Sequence, residues 1–254
     1  MTTENKREKP EKLRLDRLLV DRGMAESREK AQALIGAGQV LVNGQKQDKA
    51  GSPVSADAEV RIIGDSLPYV SRGGLKLEAA LREFPVRVEG MTALDVGAST
   101  GGFTDCLLQH GCKKVYAVDV GYGQMAWKLR QDPRVVVIER TNIRAMEPSL
   151  IPVPIDIVVI DASFISLEKV VPSVMRFLNP GADLIALIKP QFEVGREQVG
   201  KGGIVRDDAA RNAAVERIRN FIASLGFEVK GVTPSPITGQ DGNVEYLIYA
   251  VRHP

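Results

Sequence analysis

Histidine and cysteine are scarce in this sequence. Its 254 residues hold two of each: His110 and His253, Cys106 and Cys112. Their spacing matches neither a zinc site nor a disulfide framework, so no metal is expected. So few cysteines fit a reducing, cytoplasmic compartment. Long apolar runs are also missing. The longest, such as Ile157–Ile160 and Leu184–Ile188, are strand-sized. They fall far short of the ~18 residues that a membrane-spanning helix needs. Residues 1–12 are charged and lack the apolar stretch of a signal peptide. A membrane or pore-forming role therefore finds no support. Charge of one sign is absent too. Lys and Arg total 34 against 32 Asp and Glu, so bulk charge neither demands nor excludes a nucleic-acid partner.

What is present suits a globular protein with one large α/β domain and a small appendage: 44% hydrophobic and 26% charged residues. Residues 1–12 read as a charged tail. From Leu13 the pattern is helical, with Leu15, Leu18 and Leu19 on one face. Gly23 suits a helix end and Ser27 the cap of a second helix, striped by Ala31, Leu34 and Ile35. Val40-Leu41-Val42 runs into Asn43-Gly44, a strong hairpin signal. A further strand is expected at 59–63. Residues 13–63 thus form a small α+β unit, and 64–72, broken by Gly64 and Pro68, read as a linker.

From Gly73 to the end, strands and helices alternate. Strands are expected near 91–96, 114–119, 135–138, 155–161, 183–189, 227–234 and 244–251. Helices are expected near 74–84, 102–110, 124–130, 165–178 and 207–224. Continuous apolar strands between helices predict a Rossmann-like, mostly parallel sheet of about seven strands.

The sharpest motif is Ala93-Leu94-Asp95-Val96-Gly97-Ala98-Ser99-Thr100-Gly101-Gly102-Phe103. A strand enters a glycine turn and a helix follows, so a ligand can approach the backbone closely. The spacing is not that of a dinucleotide fingerprint, and no P-loop lysine follows. Asp119 ends the next strand, about 20 residues on, where a carboxylate accepts hydrogen bonds from ribose hydroxyls. No arginine follows it to greet a 2′-phosphate. S-adenosylmethionine is the ligand that fits, with Asp95, Gly97, Ser99, Gly101, Phe103 and Asp119 as its candidate contacts. Asn142 is a candidate for the adenine and equally an ordinary loop residue.

Asp161 closes the fourth strand and Lys189 the fifth, where ligands bind in such sheets. Ala162-Ser163 stand where enzymes acting on exocyclic amines usually carry a proline pair. Neither cysteine sits at a strand end, as carbon methylation usually requires. A lysine ending a buried strand is costly unless paired, and it suits proton handling. Glu245 starts the last strand. Lys76, on the first helix of the domain, reads in isolation as a solvated charge.

With these motifs together, the sequence resembles the TlyA family of ribosomal RNA methyltransferases, within the FtsJ-like group. Members are often labelled haemolysins. SRGGLKL, DVGASTGGFTD, VIDASFISL, LIKPQFE and EYLIYA carry the resemblance, which covers nearly the whole chain from Leu13. The small unit resembles the RNA-binding domain first named from ribosomal protein S-four. The resemblance implies a Lys-Asp-Lys-Glu tetrad at Lys76, Asp161, Lys189 and Glu245, with Asp161 also near the methyl donor. It implies methylation of a ribose 2′-hydroxyl of ribosomal RNA, at cytidine, in one or both ribosomal subunits. The rival readings are a non-catalytic RNA-binding or ribosome-assembly factor and a membrane-lytic protein.

Arg14, Arg17, Arg22, Arg28 and Lys30 are candidate phosphate contacts on the small unit, and Arg72 near the active site. Residues 1–49 hold eleven basic against eight acidic residues, so charge alone leaves a solvated helical face equally open. Residues 195–206, rich in glycine and basic charge, form either a loop that orders on RNA or a plain connection.

Overall fold

A computed structural model describes residues 12–62, 67–239 and 242–253. Residues 1–11 of the expected tail and 63–66 around the expected linker lie outside them. The chain divides into two compact units, Met1–Pro68 and Tyr69–Pro254.

The first unit runs β1 (Lys12–Arg14), α1 (Leu15–Asp21), α2 (Arg28–Gly36), β2 (Val40–Val42), β3 (Gln45–Gln47), β4 (Pro53–Ser55) and β5 (Val60–Ile62). Ser27 caps α2 by accepting from the Lys30 N–H at 3.2 Å. The hairpin forms at Asn43-Gly44, both with positive φ, which matches the twist of the paired strands. Strand β2 lies between β3 and β5. Leu15, Leu19, Ile35 and Val40 are fully buried between the helices and this sheet. The antiparallel β1–β4 pair was not expected, because three residues a side are too few to show a period.

The second unit opens with α3 (Gly73–Glu83), β6 (Thr92–Val96), α4 (Gly102–Gln109), β7 (Lys114–Val118), α5 (Trp127–Arg130) and β8 (Val135–Ile138). It continues with β9 (Ile155–Ile160), α6 (Leu167–Val174), β10 (Leu178–Ile188), α7 (Pro190–Glu193), α8 (Asp208–Ser224), β11 (Phe227–Pro234) and β12 (Tyr246–Arg252). The seven strands form one sheet in the order β11-β12-β10-β9-β6-β7-β8. Strands β6 to β10 run parallel, and β12 is antiparallel to both its neighbours. This is the expected Rossmann-like α/β class.

Alternate strand residues feed two cores. Leu94, Val158, Leu184 and Ile248 pack with α6 and α8 on one face. Ala93, Ile157, Ile185 and Leu247 pack with α3 and α4 on the other. Cys106 and Cys112 are buried in this second core, as packing residues, and burial pushes both thiols up to about 12.

Three expected elements differ in extent. The helix expected over 124–130 covers only Trp127–Arg130, because Ala126 is held outside helical geometry. The helix expected over 165–178 ends at Val174 and gives way to a 3-10 turn at Met175–Phe177. Strand β10 begins at Leu178 rather than 183, since Leu178 pairs with Ile155 before a register irregularity.

Helices α3 and α4 approach closely because glycines face the contact. A Cβ on Gly102 would sit 2.8 Å from the Gly74 nitrogen, and one on Gly74 only 2.3 Å from the Tyr69 ring. Gly74→Ala is expected to destabilise the second unit by about 1–3 kcal/mol. Thermal melting checks this, and an unchanged midpoint would show that the ring yields freely.

Candidate active site

Strands β6 to β9 end level with one another, and β10 runs on to Ile188. Ile160 pairs with Val96 on one side and with Ala186 on the other. Strand β12 runs the opposite way and begins at the same edge, with Tyr246 opposite Ile188. Asp161 follows β9, Lys189 follows β10 and Glu245 precedes β12. One further step of the β10–β12 register sets Lys189 opposite Glu245.

The charges at this edge are paired. Lys76, reaching from α3, donates to Glu245 Oε2 at 2.6 Å. Lys189 Nζ lies 2.6 Å from Asp161 Oδ1 and donates to Ser163 Oγ at 2.8 Å. Asp161 Oδ1 accepts no hydrogen bond of ordinary geometry from a described residue, so that contact is one of charge. Lys76, Lys189 and Glu245 are all buried. Lysines are seldom buried without a partner, and these have one each. Gly239 makes room for the Glu245 carboxylate; a Cβ there would sit 2.5 Å from Oε1.

The glycine loop borders the same edge. Gly97, Ser99 and Gly101 all have positive φ. A Cβ on Gly97 would lie 2.7 Å from the Asp161 carbonyl oxygen, so backbone alone fits there. Asp119 holds the loop: its Oδ2 accepts from the Ser99 N–H at 2.8 Å and its Oδ1 from the Gly121 N–H at 2.6 Å. Asp95 is fully buried. Its Oδ2 accepts from Thr104 Oγ1 at 2.7 Å, while Oδ1 has no hydrogen-bond partner among the described residues. Burial, assisted by Asp161 and Asp119, pushes its carboxyl up to about 7. The Phe103 ring is buried in the core, so only the backbone of that residue borders the loop. Asn142 is exposed, and its Oδ1 accepts from the Arg144 N–H at 3.0 Å, capping the 3-10 turn Ile143–Ala145.

Residues 69–252 match the FtsJ-like methyltransferase family, and residues 13–60 match the S4 domain. The chain belongs to the FtsJ-like methyltransferase family. It is 54% identical, over 94% of its length and 85% of the relative's, to YqxC of Bacillus subtilis, provisionally assigned as an rRNA methyltransferase. It is 48% identical to the 16S/23S rRNA (cytidine-2′-O)-methyltransferase TlyA of Mycobacterium tuberculosis, over 93% of this chain and 88% of that one. A solved Streptococcus thermophilus structure, provisionally described as a hemolysin, superposes with a TM-score of 0.76 at 46% identity. That match covers 96% of this chain and 89% of the other. Among the described residues, no helix is long and apolar enough to cross a membrane.

This FtsJ-like methyltransferase holds its site with residues that sequence reasoning missed. Buried Glu193, on α7, accepts from Ser166 Oγ at 2.7 Å and from the Leu167 N–H at 2.9 Å. Arg217 of α8 lies 3.3 Å away. Glu193 thus ties the segment after Asp161 to the helix after Lys189. Buried Asn243 accepts from the Val205 N–H at 3.0 Å and donates to the Gly203 carbonyl at 2.8 Å. That fastens Gly203 and Val205 to the turn before β12. Phe164 holds a positive φ and is 91% exposed, with its ring 5.1 Å from the Phe192 ring.

The candidate RNA contacts divide. Arg22 is committed to structure, donating to the carbonyls of Ala56 and Ala58 at 2.7 and 2.8 Å. Arg17 pairs with Asp21 and Lys30 with Glu26, both on the surface of the first unit. Arg14 and Arg28 both bind Asp16. Arg72 is exposed at the start of α3 in the second unit.

Asp95 gives a test of this arrangement. An aspartate in an unfolded chain titrates at about 3.9. Between that value and about 7 the folded protein keeps a proton that the unfolded chain releases, so Asp95 costs stability as pH rises through this window. Asp95→Asn removes that cost. Its melting temperature relative to the unsubstituted protein is expected to climb from about pH 5 to about pH 8. A pH-independent difference would contradict the raised carboxyl.

Proposed function

We propose that this chain transfers a methyl group from S-adenosylmethionine to a ribose 2′-hydroxyl of ribosomal RNA, at cytidine, in one or both ribosomal subunits in the cytoplasm. Residues 13–63 bind RNA and residues 73–254 carry the chemistry. The observation that carries this reading is the edge where Lys189–Asp161 and Lys76–Glu245 meet the glycine loop.

The residues present fit the methyl donor. The positive-φ loop offers backbone where a side chain would clash, and Asp95 Oδ1 has no hydrogen-bond partner among the described residues. Asp95, Gly97, Ser99, Gly101, the Phe103 backbone and Asn142 would hold it, with Asp161 at its edge. Asp119 would take the ribose hydroxyls, since two backbone N–H bonds leave its carboxylate spare acceptor capacity. S-adenosylmethionine supplies an electrophilic methyl on a sulfonium.

A ribose hydroxyl is a very weak acid, so its proton must leave as the oxygen attacks. Lys189 stands where its unprotonated amine would accept that proton, or where it would stabilise the charge that builds on the 2′-oxygen. Asp161 and Ser163 fix its amine in place. Lys76, held by Glu245, adds a second positive charge and helps place the ribose. The exposed Phe164 ring suits stacking on a base. Much of the rate comes from holding the oxygen against the methyl group.

A tritiated methyl transfer assay on purified ribosomal subunits and free rRNA tests the proposal. The protein is expected to label rRNA, and Lys189→Ala to lower kcat at least ~100-fold. No transfer to any of these acceptors would overturn the reading. A Lys189→Ala protein that transfers normally would remove the lysine from the chemistry. If cells expressing that variant also behave as wild type, the non-catalytic assembly role gains ground.

A further inference from the structure

The first unit contains a buried charge that the methyl-transfer chemistry does not use. Asp16, in the first turn of α1, is fully buried. Its carboxylate accepts from the Arg17 N–H at 2.9 Å, from Arg14 Nε at 3.0 Å and from Arg14 Nη2 at 2.9 Å. It also accepts from Arg28 Nη2 and Gln32 Nε2, both at 3.0 Å. The side-chain donors come from the end of β1 and from α2, so one anion on α1 ties the two together. The Arg14 hydrogen bonds are the chief reason its carboxyl lies well below the usual range, against the opposing effect of burial.

The two arginines are not used up by this contact. Arg14 spends its Nε and one Nη2 hydrogen on Asp16, out of five N–H groups, and Arg28 spends one. Their side chains remain 55% and 58% exposed. Arg14 also lies along the backbone at Gly51, where a Cβ would sit 3.5 Å from its guanidinium nitrogens. Two guanidiniums facing one carboxylate leave a positive surplus. Exposed arginine side chains ordinarily lose much rotamer freedom on binding, and these have lost it already.

We infer that Asp16 is a positioning residue that holds Arg14 and Arg28 as a preformed clamp for RNA phosphates. This rests on the RNA reading above and adds to it how the first unit grips its substrate. Planar guanidinium forks match phosphate oxygens in pairs, which a mobile lysine does not. The bland alternative is that Asp16 only neutralises charge and joins two elements of the small core. The alternatives differ in sign. Asp16→Asn removes a negative charge, so by charge alone it strengthens binding to RNA. If Asp16 aligns the arginines, the same substitution weakens it.

Filter binding of the full chain to end-labelled, deproteinised 16S and 23S rRNA, across about 50 to 200 mM salt, decides between them. Asp16→Asn is expected to lower affinity roughly ten-fold and to flatten the salt dependence by an amount equal to about two phosphate contacts. In an Arg14→Ala/Arg28→Ala background, Asp16→Asn is expected to change affinity less than about two-fold. Unchanged or tighter binding by Asp16→Asn, with wild-type circular dichroism, overturns the clamp and leaves the RNA reading standing. Failure of the unsubstituted protein to bind either rRNA overturns both. If Asp16→Asn does not fold, Arg14→Lys/Arg28→Lys decides: it keeps the charge but loses the forks. Wild-type affinity for that variant would overturn the clamp, and a loss of about ten-fold would support it.

Discussion

Two lysines are buried at one edge of a sheet, and each must meet a carboxylate there. That requirement governs much of the second unit. A buried ammonium without its partner is strongly destabilising, so the residues around it are arranged to prevent that state. Strand β9 ends and β12 begins at this edge, and β10 runs on past the pairing of Ile160 with Ala186, which gathers Asp161, Lys189 and Glu245 there. Helix α3 lies against α4 through glycines, and from there Lys76 reaches Glu245. Gly239 stays small because the Glu245 carboxylate occupies its side-chain space, and Glu193 fastens the segments that follow Asp161 and Lys189.

The glycine loop proposed to hold the methyl donor depends on the same edge. The Asp161 carbonyl presses on Gly97, so the end of the strand that carries a proposed catalytic carboxylate also shapes the loop. The proposed donor loop and the proposed catalytic edge thus share a backbone contact. Asp95 pays for this closeness. It is buried near Asp119 and Asp161, and its raised carboxyl reflects burial first and these neighbours second.

The strand ends were legible because buried parallel strands leave continuous apolar runs, and the residue that breaks each run marks its end. Asp119, Asp161 and Lys189 were found in that way, and β7, β9 and β10 stop one residue before them. The pairing of Lys76 with Glu245 was not legible from spacing, since 169 residues separate them. Only the family resemblance joined those two. Glu193 and Asn243 were missed for a related reason: each looks like an ordinary polar residue until the fold brings its partners to it. Asp16 was hidden by its surroundings, an acid among basic residues on what reads as a solvated helix. Short elements also escaped, as β1 and β4 did, because three residues carry no period.

The most direct test asks where on the nucleotide the methyl group goes. A lysine–carboxylate edge with no placed cysteine and no proline pair suits an oxygen nucleophile on ribose. Digestion of in vitro methylated rRNA to nucleosides, followed by mass spectrometry, reads this out. A 2′-O-methylated cytidine is expected, with the added mass staying on the sugar on fragmentation. A methyl group that travels with the base would contradict it.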